Sequence, residues 1–189
     1  MEAIAQAESE ARSQNIKWGI RRGFESGTSK FYNRKCYGYC HDLEGNIIIN
    51  EQEAAVVKNI FNLYLSGYSV LAIIRELKKQ GLKSPTSKES WSKRTIDTIL
   101  SNEKYIGNTI VGKTFTTDYT KNKRRINKGE QHKYQAYSTH PPLIPICQFE
   151  QVQEEKLRRS NIHKNADGTI TRTSTHYSMK SDSDRSKSL

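Results

Sequence analysis

SGYSVLAIIRELKKQGLKSPTSKESWSKRTIDTILSNEKYIG, residues 66–107, decides how this chain is read. It predicts two short amphipathic helices joined by a basic connector. Ser69 is placed to cap the first helix, whose Leu71, Ile74 and Leu77 keep helical spacing, and Gly81 stands where that helix should stop. Ser92 is placed to cap the second, and its Ile96, Ile99 and Leu100 would dock on the first. Lys93, Arg94, Asp97, Thr98 and Ser101 then point outward, close to the start of the second helix. A helix-turn-helix unit needs this distribution, because the buried face sets the angle while polar side chains near the helix start reach base edges in the major groove. A helical hairpin with a merely solvated charged face fits the same pattern, and helix-turn-helix patterns without context are weak signals.

Charge supplies the context. The chain has 31 Lys and Arg against 20 Asp and Glu, and the surplus is uneven. Residues 12–35 hold seven basic residues and one acidic, a net of +6; residues 78–104 hold seven against three, and residues 113–133 seven against two. Residues 42–53, by contrast, hold four acidic residues and no basic one. Separate basic blocks suggest a path along a polyanion, where a uniform surplus would suggest only solubility. No apolar run approaches the roughly 18–20 residues that span a bilayer, and the N-terminus lacks a signal peptide's apolar stretch. Nucleic acid is therefore the expected polyanion, and the cytoplasm the expected compartment.

At 189 residues and 34% hydrophobic content, the chain can support one modest core or two small ones. The three cysteines are an odd number and read as reduced thiols. Cys36, Cys40 and His41 draw the eye toward a metal, but C-x3-C is an unusual zinc spacing and no second ligand pair follows.

Around the deciding stretch, residues 2–26 read as a helix ended by Gly27. Ile16, Ile20 and Phe24 form an apolar stripe beside the basic stripe of Lys17, Arg21 and Arg22. Gly19 and Gly23 weaken that helix by about 1 kcal/mol each. Residues 28–41 read as an extended linker, with Arg34 and Lys35 suited to a narrow minor groove. A short strand, Ile47–Ile49, precedes a helix over 51–65 opened by an Asn50–Glu53 capping box, with Val57, Ile60, Phe61 and Tyr64 as core. Trp91 reads as a core anchor. Beyond Gly107, a strand over 109–114, a polar basic loop over 117–133 and a return strand over 134–138 lead to a His140-Pro141-Pro142 corner. A last helix spans 147–160, with Phe149, Val152 and Leu157 inward, and the Ser/Thr/Lys-rich 163–189 reads as disordered. No G-x-S-x-G elbow, P-loop or HExxH occurs, and no nucleophile stands among groups that would activate it.

IKWGIRRGFESG, YGY, NEQEAAVVKNIFNLYLSGYSVLAIIRELKKQG and WSKRTIDTILSNEKYIG, in that order over residues 10–110, resemble the recombinase domain of large serine recombinases, the serine integrases and transposases of phages and mobile elements. HPPLIPICQFEQVQEEKLRR is similar to the start of the domain that follows in that family. The resemblance implies a longer protein. An N-terminal catalytic domain would attack DNA with a serine, a long helix would join it to the DNA-reading domain, and a zinc ribbon would follow. It transfers no catalytic residue to this chain, and no cofactor is expected in it; zinc is expected in the part that follows.

The expected fold is thus mainly α with small β parts (α+β): a joining helix over 1–29, a helix-turn-helix recombinase domain over 30–107, a β-hairpin and helix over 108–162, and the tail over 163–189. The expected partner is double-stranded attachment-site DNA, the parent acting as a dimer or tetramer on it. DNA-binding candidates are Lys17, Arg21, Arg22, Arg34, Lys35, Ser92, Lys93, Arg94, Thr95, Thr98, Lys121, Lys123, Arg124 and Arg125. The alternative is a stand-alone helix-turn-helix transcription regulator.

Overall fold

Helix α1 (Glu2–Glu25) leads into a tight turn over 29–33 and then a small antiparallel ladder, β1 (Tyr39–His41) against β2 (Ile47–Ile49). The computed structural model describes residues 2–118, 123–165 and 169–172. After β2 come three helices that start by one device. Asn50, Ser69 and Ser92 sit in extended backbone before α2 (Glu51–Leu65), α3 (Val70–Lys79) and α4 (Lys93–Leu100). Each side-chain oxygen accepts the amide three residues on, from Glu53 at 3.3 Å, Ala72 at 3.2 Å and Thr95 at 3.0 Å. The capping box at Asn50 is only half made, because the Glu53 carboxylate accepts the Gly38 amide at 2.8 Å instead.

Helices α2, α3 and α4 pack together, and α5 (Ile146–Arg159) closes the unit by packing on α2 and α4. Val57, Ile60, Phe61, Ile73, Leu77, Ile96, Leu100 and Val152 are completely buried there. Burying each such side chain stabilises the fold by about 1.5–3 kcal/mol. Trp91 is the expected anchor, with its indole N–H donating to the Leu82 carbonyl at 2.8 Å and its ring edge-on to Tyr37. Arg159 ties α5 to α2. Its guanidinium donates to the Tyr64 and Tyr68 carbonyls at 3.0 and 2.8 Å, lies over the Tyr64 ring, and pairs with Glu155.

After a short 3-10 turn (Glu103–Ile106), the β part consists of two ladders, one inside the other. β3 (Thr109–Val111) pairs with β6 (Tyr134–Ala136), and between them β4 (Thr114–Asp118) pairs with β5 (Lys123–Ile126). The architecture is α+β, mainly α with small β parts, as expected.

Several local expectations need correction. Residues 28–41 are not an extended linker. The 29–33 turn folds the chain back, and Tyr37 and Tyr39 pack against or into the core. Gly38 makes this possible: at φ +99° a Cβ would stand 2.8 Å from Leu143 Cδ1. The 109–114 strand is broken at Gly112 (φ +79°), where the chain leaves one ladder for the other. The basic 117–133 segment contains β5 and so is not wholly a loop. Leu71 is 45% exposed, and Ile73 takes its place in the core. Leu157, expected inward, is 76% exposed. Part of the 163–189 segment belongs to a hairpin, β7 (Ile162–Lys164) with β8 (Ile170–Arg172); the rest of the expected disorder lies outside the described residues. No helix among the described residues is long and apolar enough to cross a membrane.

Candidate nucleic-acid interface

Two cationic surfaces arise from this scaffold, by different means. The first is the outer face of α4. Ile96, Ile99 and Leu100 are buried on one side, which leaves Lys93, Arg94, Asp97, Thr98 and Ser101 exposed on the other. Arg94 makes no ion pair among the described residues. Asp97 is engaged by Lys156 of α5 at 2.6 Å, which draws the one carboxylate on this face away from Arg94's role. The Ser92 hydroxyl is spent on the cap and on the Thr95 hydroxyl at 2.8 Å, so these two residues shape the helix start while Lys93, Arg94 and Thr98 face outward.

The second surface is a groove between the C-terminal half of α1, the 31–34 turn and the two ladders. Lys17, Arg21, Arg34 and Arg124 line it, together with Lys104 and Lys113. Those last two were not among the sequence candidates. Only the fold brings residues from five segments of the chain to one place. The Lys104 ammonium donates to the Tyr32 carbonyl at 3.4 Å and, more closely, to the Arg34 carbonyl, so it holds the turn that presents Arg34. Burial pushes its pKa down, Cys36 and Glu103 pull it back up, and Lys113 and Arg34 add to the lowering. Lys113 pairs with Glu103, and Arg34 stands over the Phe31 ring at 4.2 Å.

The remaining candidates are dispersed. Arg22 lies over Trp18 at 5.3 Å, away from the groove lining, and Lys35, next to Arg34 in sequence, is exposed and does not line the groove either. Arg125 alternates with Arg124 on β5 and so projects from the opposite face of that strand. Lys123 begins β5, and Lys121 lies outside the described residues.

A buried polar joint fixes the groove to the helical unit. His140 Nε2 meets the Lys104 carbonyl at 2.6 Å, and a carbonyl only accepts, so Nε2 carries the proton. Nδ1 is then left to accept the Thr139 hydroxyl at 2.8 Å. Tyr39 donates to the Lys104 and Pro141 carbonyls, and Tyr105 to the Tyr37 carbonyl at 2.9 Å. Burial is the main cause of a lowered His140 pKa; the hydrogen bond to Lys104 opposes it and the Lys104 charge adds to it. The Cys36 thiol beside this joint is pushed up to about 11, again chiefly by burial, and is neutral at pH 7.

Comparison with known proteins agrees with this architecture. The chain resembles a solved structure described as the crystal structure of an LSR–DNA complex, at 21% identity and a TM-score of 0.51, over 79% of this chain and 40% of that one. It also resembles a structure from work on the sequence requirements of the Listeria innocua prophage attP site, at 22% identity and a TM-score of 0.51, over 81% of this chain and 54% of that one. The chain therefore spans about half or less of the length of these relatives. At these identities the likeness establishes the fold. The model of the Recombinase family matches residues 51–159, from the first residue of α2 to the last of α5, which is more than half of the chain. The chain belongs to the Recombinase family, and its resemblance to large serine recombinases is borne out.

Proposed function

We propose that this chain binds duplex DNA and reads half of an attachment site for a site-specific large serine recombinase. The observation that carries this is Arg94. It is exposed on the first turn of a capped helix whose reverse face is buried, and no carboxylate of the described residues pairs with it. A guanidinium held this way can pair bidentately with guanine O6 and N7, and a site built on a rigid element is more exact than one on a loop. In this reading α3 and α4 act as a helix-turn-helix, with Lys93 and Thr98 beside Arg94. Lys17, Arg21, Arg34, Lys104, Lys113 and Arg124 neutralise phosphates. Cleavage by a serine, strand exchange, assembly as a dimer or tetramer and zinc binding are assigned to the longer protein that the resemblance implies. The nucleoid is the matching location.

The test is fluorescence anisotropy on a half-site duplex over a range of salt. About five or six phosphate contacts predict a slope of log K against log[salt] near about −5. A slope near zero would contradict the phosphate contacts.

A further inference from the structure

The groove beside α1 holds about 350 Å³. That is near the low end of ligand-sized sites, about 300–1,000 Å³. A pocket of that size admits a single base but not a whole duplex, whose phosphates could meet only the cationic rim. Its lining has two kinds of surface. One is aromatic: Phe24 meets Phe31 edge-on at 5.5 Å and Tyr134 at 5.9 Å, and Phe115 of β4 joins them on the groove lining. Arg34, over Phe31, sets a guanidinium against that wall. The other surface is the cationic rim already described. Among the described residues no Asp or Glu lines the groove; beside it, Glu103 pairs with Lys113 and Glu25 accepts the Tyr134 hydroxyl at 3.2 Å.

Cations alone would suit any polyanion. An aromatic and guanidinium wall beside them suits something with both phosphates and a flat, apolar face. Unpaired nucleotides have both, and their bases stack on aromatic rings and on arginine. A base inside a duplex keeps its faces covered by its neighbours and cannot use this wall.

We infer that the groove holds an unpaired nucleotide of a DNA strand, its base against the aromatic lining and its flanking phosphates on the cationic rim. This rests on the reading of the chain as a DNA-binding protein and goes beyond it: α4 meets paired DNA, and the groove meets a strand whose pairing is open.

The experiment compares two labelled single strands of about ten residues, one of thymidine throughout and one with abasic residues at its centre. Both carry the same phosphates, so any difference reports the bases. The whole chain should bind the thymidine strand about tenfold more tightly, the scale of stacking one base. Phe115→Ala should erase that preference and leave half-site duplex binding within about twofold. Arg94→Ala should do the reverse, keeping the preference and losing duplex selectivity. Phe115→Leu, which removes the aromatic ring and keeps apolar volume, stands in for Phe115→Ala if the latter does not fold, as judged by circular dichroism. Equal binding of the two strands by the unaltered chain overturns the inference, as does a preference that survives in the folded groove variants. If equal binding accompanies normal duplex binding, the groove inference alone fails; if the duplex is not bound either, the DNA reading fails with it.

Discussion

The two cationic surfaces differ in what holds them in place. On the α4 side the apolar face is buried against α3 and α5, and on the outer face Asp97 and Ser101 are tied to Lys156 of α5 while Arg94 makes no ion pair among the described residues. On the groove side the cations are also structural members: Lys104 binds the backbone of the 32–34 turn, and Lys113 binds Glu103. The lesson is one of separability. Arg94 can be removed from the outer face of α4 with little effect on stability, whereas removing Lys104 removes a charge and a tie together. Arg94 is therefore a clean probe of binding, and Lys104 is not.

The comparison can be broken most severely from inside the helical unit. Leu100 is fully buried on the inner face of α4, so Leu100→Ala should destabilise the chain by about 2–5 kcal/mol in urea unfolding. The fraction that stays folded should bind DNA normally. A loss of binding without a loss of stability would show that the two faces of α4 are not independent.

A smaller effect is expected at Arg159, whose side chain is 13% exposed and joins Glu155 to two carbonyls of the α2 end. Arg159→Ala takes the side-chain donor from the Tyr68 carbonyl, leaves the Tyr64 carbonyl with the Gly67 amide, and should cost about 2–3 kcal/mol. The measure is again urea unfolding; a cost below about 0.5 kcal/mol, the level of an ordinary surface change, would show that α5 holds by apolar packing alone.

His140 sharpens the comparison through pH. Its folded-state pKa lies below the ordinary value of 6.5, so the unfolded chain takes up the proton first as pH falls. The His140 contribution should be complete above about pH 6.5, fall as pH drops below it, and level off once the folded state is also protonated. Thermal unfolding of the chain and of His140→Phe between pH 7.5 and 5 checks this, the variant losing the acid-side slope. A slope of opposite sign would mean that protonated His140 is stabilised in the joint.

These two surfaces were also unequally legible in the amino-acid sequence. The α4 face follows from local rules: a serine cap, apolar residues at helical spacing, and polar residues in the gaps. The same rules placed α2, α3 and α5 within a residue or two. They misjudged Leu71 because Leu71 and Ile73 fit a short helix equally well until the position of α2 decides between them. The groove is a product of long-range contact. Lys104 and Lys113 stand in unremarkable local settings, and nothing near them indicates that residues 17–34 fold back against them. β5 was hidden because Lys123, Arg124 and Arg125 give a run of charge with no apolar alternation to mark a strand. The spacing of Gly112 from Gly107 was the available sign that one strand was really two.

The central claim is that α4 reads sequence, and binding-site selection on Arg94→Ala, Arg124→Ala and the unaltered chain tests it most directly. Arg94→Ala should cost about 1–3 kcal/mol on the specific site and flatten the preference at one base position. Arg124→Ala, on the groove, should weaken every sequence slightly and alike. If Arg94→Ala keeps the parent preferences at every position, α4 is not the reading element and the account is wrong.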